Sequence, residues 1–312
     1  MPRLRPCIIT CLTILDEPAL LPDGPGQVSL YAERLQRCFL HDPRGDKQFE
    51  RRSCFLGPHY LRVTPIDSEA NSAYPVGLLF HALMDLVFAN ANLGRFQLPA
   101  SGVVTFGTVL DDRQVFVGHG ITQALAEQTL AAGLPRIVVS PHVLFALEQE
   151  PLLRKDTHTL AQERGYLRPL LFRDRDGLWV LDPLRAMADQ CADDEEYGQL
   201  LRECAETLRK GLRKAKKADT LDDRARALGW LRRYHNRTVD RFLHGLKSQE
   251  APTVGPGADA ERSSEGAGPS SEAAGPFSEA AGPSSEAAEP TIGGRRRAEL
   301  RVPRIGPICY SF

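Results

Sequence analysis

The sequence predicts an α+β protein, because strand-like and helix-like patterns alternate along its first 148 residues. Short runs rich in β-branched residues, such as 7–15, are separated by stretches in which apolar residues recur every three or four positions. Their order is β-α-ββ-α-ββ-α-β, which predicts one domain whose helices cover one face of a sheet. With 42% hydrophobic and 25% charged side chains in 312 residues, the chain can bury one or two cores.

The first apolar run, 7–15, follows two arginines and has the length of a signal-peptide core. No small-x-small cleavage site follows it, and its β-branched residues favour a first strand instead. No apolar run reaches the roughly 20 residues that span a bilayer, so no membrane span is expected.

The remaining patterns of the first domain are three helices, two hairpins and a short strand. The first helix follows the turn cluster "PDGPGQ", and the others end at glycines. The patterns are a helix over 28–43, a hairpin over 51–65, a helix over 75–94, a hairpin over 101–118, a helix over 121–133 and a strand after Pro135.

The second region, 149–248, is predicted to hold a strand pair around Asp176-Gly177 and two amphipathic helices. Residues 249–294 repeat Gly, Pro, Ser, Glu and Ala, a composition too poor in apolar side chains to offset backbone entropy, which predicts a disordered linker. Residues 295–312 form a basic tail that ends in apolar residues, and it is either a docking peptide or a solvated end.

Composition excludes several partners and compartments. A net charge of −1 gives no global field that would attract nucleic acid or an anionic membrane. Seven cysteines without a C-x-x-C pair indicate reduced thiols, and therefore a cytoplasmic protein.

No common catalytic motif is present. The eight histidines never fall at metal-ligand spacing, and neither a nucleophile elbow nor a phosphate-binding glycine loop with lysine occurs. The acid pairs Asp111-Asp112 and Asp174/Asp176 are more typical of turns than of cation sites. The basic run 209–217 is either a solvated helix end or a surface for an acidic partner or nucleotide.

Three segments resemble one family. The segment "VGHGITQALAEQTLAAGLPRIVVSPHVL" (117–144) is similar to a stretch of the class III nucleotide cyclases, and particularly to the pyrimidine cyclases of bacterial anti-phage signalling. "LFRDRDGLWVLDPL" (171–184) and "WLRRYHN" (230–236) resemble two later motifs of that family, in the same order. The matching residues of the first segment are Gly118, Gly120, Ala124, Ala132, Pro135, Arg136 and Ile137.

The resemblance implies a fold and an activity. The fold would be a class III cyclase domain with a ferredoxin-like βαββαβ core, extended by C-terminal helices and a disordered tail. The activity would be a phosphorus-oxygen lyase reaction, in which UTP or CTP becomes cyclic UMP or CMP with Mn²⁺ or Mg²⁺ as cofactor. The implied protein is a homodimer whose product is a second messenger for a downstream effector in antiviral defence.

The metal-binding positions of the family are changed here. Alignment places Thr13 and Gly57 where the family carries the two aspartates that hold its metal ions. Asp16 lies a few residues beyond Thr13 and is the one candidate metal ligand nearby. Because loss of both carboxylates nearly abolishes two-metal catalysis, we expect an impaired or absent catalytic centre. The alternatives are a silent pseudo-cyclase that senses a nucleotide or regulates a partner, and a purely structural domain.

Arg136 follows Pro135 at the mouth of a predicted buried strand, and we expect it to be a structural anchor that binds a carboxylate. In the family the partner would be a glutamate of the preceding helix. Gln128 occupies that position here, so the charge partner of the anchor has changed.

Overall fold

The computed structural model describes residues 3–15, 25–39, 47–96, 98–110, 116–217 and 223–250. The strands are β1 (Leu4–Ile14), β2 (Arg52–Leu56), β3 (His59–Pro65), β4 (Ala100–Leu110), β5 (Ile137–Val139), β6 (Leu171–Arg173) and β7 (Trp179–Leu181). The helices are α1 (Pro25–Phe39), α2 (Ala70–Ala73), α3 (Leu78–Arg95), α4 (His119–Glu127), α5 (Pro141–Gln149), α6 (Leu160–Leu167), α7 (Pro183–Ala188), α8 (Asp194–Lys217) and α9 (Asp223–Glu250). The mixture of sheet and helices confirms the predicted α+β class.

The strands form a seven-stranded mixed sheet in the order β2-β3-β1-β4-β5-β7-β6. Only the pair β4 and β5 is parallel, and every other neighbouring pair is antiparallel. The first two β-α-β units, β1-α1-β2 and β3-α3-β4, are interleaved, because β3 lies between the strands of the first unit and β1 between those of the second.

The apolar run near the start of the chain is an interior strand of the sheet. Ile8, Ile9 and Leu12 are at most 1% exposed, and β1 pairs with β3 on one side and β4 on the other. The expectation of a first strand is therefore confirmed. Because β3 and β4 both pair with β1, this segment is an integral part of the folded core.

Helices cover both faces of the sheet, so the expected one-sided layout is wrong. Alternate residues of β1 point to opposite faces: Ile8 packs with the helices α1 and α3, whereas Ile9 packs with Ile121 of α4 and Trp230 of α9. Because both faces of β1 are apolar, each needs a covering layer to exclude water.

The second expected hairpin, 101–118, is described only in part. Its first half is the strand β4, but Phe116 and Val117 belong to no strand, although the Leu110 N–H donates to the Val117 carbonyl oxygen at 2.7 Å. Strand β1 pairs along the whole of β4, whereas β5 pairs only with Gly102, Val103 and Val104. Asp111 and Asp112, expected at the hairpin tip, lie outside the described residues.

The two regions that the sequence divides at residue 148 share this sheet. Strand β7 pairs with β5, where Val180 lies opposite Val138, and β6 forms the far edge. A turn at Asp176-Gly177 joins β6 to β7 as expected, with Gly177 at a φ of 84° that glycine adopts without strain. The predicted linker beyond residue 250 and the tail 295–312 lie outside the described residues. Within the described part of the chain, no helix has the length and apolar character needed to cross a membrane.

Candidate functional site

Thr13 and Gly57, the two positions that the resemblance matches to metal-binding aspartates, are close together in the fold. Thr13 is near the end of β1 and pairs with His59, the first residue of β3. Gly57 lies two residues earlier, in the turn between β2 and β3, and the next residue, Pro58, accepts a hydrogen bond from the Ile14 N–H at 2.8 Å. Neither position carries a carboxylate.

Thr13 is instead the centre of a hydrogen-bonded chain, which we call the Thr13 site (Thr13, His59, Gln128 and Cys11). The Thr13 Oγ1 lies 3.0 Å from the His59 Nδ1. The Gln128 side-chain amide donates to the same hydroxyl oxygen, and its carbonyl oxygen accepts from the Cys11 Sγ at 3.6 Å. Gln128 reaches this point because it begins the 3₁₀ turn that follows α4.

The direction of the hydrogen bonds among these side chains determines which donors the site offers. Because Gln128 donates to the Thr13 oxygen, the Thr13 hydroxyl proton is free to point at an unprotonated His59 Nδ1. In the tautomer that accepts this hydrogen bond at Nδ1, the ring proton lies on Nε2 of an exposed side chain. A hydroxyl next to an imidazole and an outward N–H donor suits the binding of phosphate or ribose oxygens.

The thiols near the site are protonated near neutral pH. Burial, with a smaller contribution from Cys54, raises the pKa of Cys11 to about 11, and burial also raises the pKa of Cys54. Thiolates bind metals and act as nucleophiles, whereas thiols do neither well. Cys11 therefore acts here as a hydrogen-bond donor to Gln128.

No metal centre is found among the described residues. No group of three or more His, Cys, Asp or Glu side chains within the described ranges is arranged to hold a metal ion. Asp16, the candidate ligand from sequence, lies outside the described residues, one residue beyond the last one before the gap. The side chains of Thr13 and His59 include no carboxylate, which is the ligand that hard divalent cations prefer.

Large apolar side chains lie exposed beside the Thr13 site. Leu56 pairs with His59 across the β2–β3 hairpin and is 77% exposed. Leu125 of α4 lies three residues before Gln128 in the chain and is 54% exposed. Apolar side chains grouped around polar donors are typical of ligand and partner surfaces.

Arg136 is the centre of a second, buried cluster. Its guanidinium donates to the carboxylate of Asp174 at 2.8 Å and to that of Asp176 at 2.6 Å, and also to the Leu130 carbonyl oxygen at 2.9 Å. The indole N–H of Trp230 donates to the same Asp174 oxygen at 3.1 Å. The three segments that resemble the cyclase family thus meet here, through Arg136, the 174–176 turn and Trp230.

The cluster keeps Asp174 ionised. Burial alone would raise the pKa of this carboxyl, but hydrogen bonds from the Arg175 backbone, Trp230 and Arg136, together with the charge of Arg136, lower it below its usual value. Because Arg136 is only 4% exposed, its charge needs a partner inside the fold. The expected carboxylate is thus present, but it comes from a turn of the second region.

The structure does not bring Arg136 and Gln128 together. Gln128 contacts Thr13 and Cys11, as described above. The carboxylate at the neighbouring position, Glu127, is hydrogen-bonded to His142 and Gln123, and not to Arg136. Burial would raise the pKa of Glu127, but its hydrogen bonds to Gln123 and other side chains lower it.

Comparison with known proteins adds no identification. The sequence matches no protein-family model, and no curated protein is detectably similar to it.

His59 is one of the residues of the Thr13 site that the sequence did not indicate. It follows a Gly-Pro turn and has no histidine or carboxylate at ligand spacing. Its proximity to Thr13 depends on the register of β1 with β3, which joins residues 46 positions apart in the chain.

Proposed function

We propose that this chain is a nucleotide-cyclase-like protein of the pyrimidine-cyclase type that binds a nucleotide without cyclising it. The observation that carries the proposal is the Thr13 site. Thr13 and Gly57 flank the hydrogen-bonded pair Ile14 and Pro58, but they bear a hydroxyl and no side chain. Two-metal cyclisation requires carboxylates at such positions to hold the cations that neutralise the triphosphate. Hydrogen-bond donors without carboxylates can still bind a nucleotide, but they do not supply that catalysis.

Two further features support this proposal. The interleaved β-α-β units agree with the βαββαβ core that the resemblance implies. The exposed Leu56 and Leu125 beside the Thr13 site offer an apolar border for a base or for a second copy of the chain, as the resemblance to homodimeric cyclases leads us to expect.

The proposal is tested by incubating the purified protein with UTP, CTP, ATP or GTP and Mn²⁺, and then measuring bound nucleotide and cyclic product by mass spectrometry. We expect a pyrimidine nucleotide to bind without turnover. Formation of cyclic UMP or CMP would contradict a silent centre, and its loss in an Asp16→Asn variant would assign the metal to Asp16. Absence of binding by any nucleotide would contradict the nucleotide proposal and favour a structural domain.

A pair of histidine variants locates the binding. His59→Ala removes the outward donor of the Thr13 site and should weaken nucleotide binding about tenfold, the equivalent of one charge-assisted hydrogen bond. His119→Ala is the matched control, because His119 is also exposed but begins α4, at the opposite end of the helix from Gln128. If the two variants bind the nucleotide with equal affinity, the nucleotide does not bind at the Thr13 site.

A further inference from the structure

A cavity of about 370 Å³ lies between the C-terminal half of α3, the middle of α8 and the first half of α9. It is separate from the Thr13 site, since no residue of that site lines it. Its size falls within the range of ligand-binding pockets. The apolar residues that line it include Leu93, Leu98, Leu200, Leu208, Leu228 and Leu231.

The polar side chains in the interior of the cavity already have partners. The Tyr234 hydroxyl donates to the Asp182 carboxylate at 2.7 Å, and the His235 Nε2 lies 2.9 Å from the Leu201 carbonyl oxygen. Their hydrogen bonds are directed into the protein, so the walls that face the cavity are mainly apolar. An occupant must therefore be apolar where it enters.

Exposed acidic side chains line the solvent side of the cavity. Glu203 and Glu206 of α8 are both exposed and both line it. Arg95 is the one basic residue among the described lining residues, so the lining carries a net negative charge. An occupant with cationic groups next to an apolar segment would match this surface.

The C-terminal tail, 295–312, has this chemistry. It begins with Arg295, Arg296 and Arg297, and continues as "AELRVPRIGPICYSF", in which branched apolar residues alternate with arginine and proline. Proline restricts the backbone before binding, which reduces the entropy lost when a peptide docks.

The tail can reach the cavity of its own chain. From His235, which lines the cavity, to Glu250 the helix α9 extends roughly 22 Å at 1.5 Å per residue. The sequence predicts a disordered linker over 249–294, of which 251–294 follow α9, and a flexible chain of that length has a root-mean-square span of roughly 35 Å. The linker therefore covers the distance back along α9.

We propose that the tail 295–312 docks in cis on the cavity between α3, α8 and α9. Its apolar residues fill the cavity, and Arg295–Arg297 lie against Glu203 and Glu206. This inference does not depend on nucleotide binding at the Thr13 site. The tail would act as an intramolecular ligand that covers an otherwise exposed apolar surface.

The test uses Cys204, which lines the cavity, and Cys191, which does not and is similarly half-buried. In the full chain, alkylation of each thiol by iodoacetamide is followed by peptide mass spectrometry. The variant with all three of Arg295–Arg297 replaced by Glu should release the tail and speed Cys204 alkylation about tenfold relative to Cys191. A variant with Leu300→Asp and Ile305→Asp should have the same effect, because it removes the apolar contact.

A charge-swap cycle separates docking from a direct effect of charge on the thiol. With Glu203→Lys and Glu206→Lys in place, the same arginine-to-glutamate tail should slow Cys204 alkylation, since the complementary charges are restored. The proposal would be overturned if the arginine-to-glutamate tail did not change the rate of Cys204 alkylation. It would also be overturned if the change were the same with and without Glu203→Lys and Glu206→Lys. Protection that rises with protein concentration would also overturn it, because the occupant would then be the tail of a second copy.

Discussion

The guanidinium of Arg136 and the carboxylate of Asp174 lie 2.8 Å apart inside the fold, although they are 38 positions apart in the chain. Trp230 of α9 donates to the same carboxylate oxygen. The pair therefore ties three separate segments together: the entry to β5, the turn between β6 and β7, and the last helix. This explains why an arginine stands directly before a buried strand.

Asp174→Ala should lower the free energy of unfolding by about 2–4 kcal/mol, because it leaves the buried Arg136 with a single, more exposed carboxylate partner and the Trp230 indole without an acceptor. Urea unfolding followed by circular dichroism measures the change. Asp176→Ala is the control: its carboxylate is 44% exposed, so its removal should cost less than half as much. Equal costs for the two variants would show that Asp174 is not the principal partner.

Acidification should destabilise the protein through His81 and the buried His235. Burial lowers the pKa of His81 and of His235, against opposing contributions from Asp85 and from the Leu201 carbonyl oxygen, respectively. The native state thus keeps both imidazoles neutral while the unfolded chain binds protons from about pH 6.5 downward. The free energy of unfolding should therefore fall as the pH drops below about 6.5, by up to about 1.4 kcal/mol per pH unit for each histidine until its native pKa is reached.

A pH series of urea unfolding between pH 8 and pH 5 measures this dependence. His235→Gln keeps a donor for the Leu201 carbonyl oxygen and removes the titration, so it should reduce the slope, with His81 still contributing. The control His119→Gln changes an exposed histidine and should leave the slope as in the wild type. A slope that His235→Gln does not reduce would contradict the role of His235.

A metal site should be restorable at positions 13 and 57. Thr13→Asp with Gly57→Asp would place one carboxylate near the end of β1 and one in the adjacent β2–β3 turn, and Mn²⁺ affinity by isothermal titration calorimetry should rise at least about tenfold. Aspartate tolerates the left-handed backbone at Gly57, where φ is 55°, better than most residues do. The variant with Asn at both positions has the same shape without charge and should not gain affinity. If the Asp variant does not gain Mn²⁺ affinity either, positions 13 and 57 do not form a pair that can bind a metal.

Gly120→Ala should destabilise the protein by about 1–3 kcal/mol, because a Cβ at this position would lie 2.4 Å from the Ile9 side chain and 2.8 Å from the Gly107 backbone. Helix α4 would have to move away from β4, which would also disturb the contact between Gln128 and Thr13. Gly165→Ala in α6 is the control, since nothing lies within 4 Å of its added Cβ, and it should stabilise by about 0.5–1 kcal/mol. Thermal unfolding of the two variants should therefore shift in opposite directions.

Local patterns in the sequence were sufficient for the α+β class and for most elements. The apolar run of β1, the stripe of α3 and the glycine that follows the turn after α4 each depend on neighbouring residues, whose spacing and backbone preferences are visible in the sequence. The turn at Asp176-Gly177 was readable for the same reason. These patterns do not specify on which face of the sheet a helix packs. The helices on both faces were therefore not predicted.

The site depends on long-range pairing. The sequence indicated that Arg136 needs a carboxylate, because a buried guanidinium is costly alone, but the choice of Asp174 over a residue of α4 followed from the antiparallel pairing of β7 with β5. Likewise Thr13 was indicated by alignment, whereas its contact with His59 follows from strand register. Periodicity and composition act over a few residues, so they define elements; register and packing act between elements, and they decide which side chains meet.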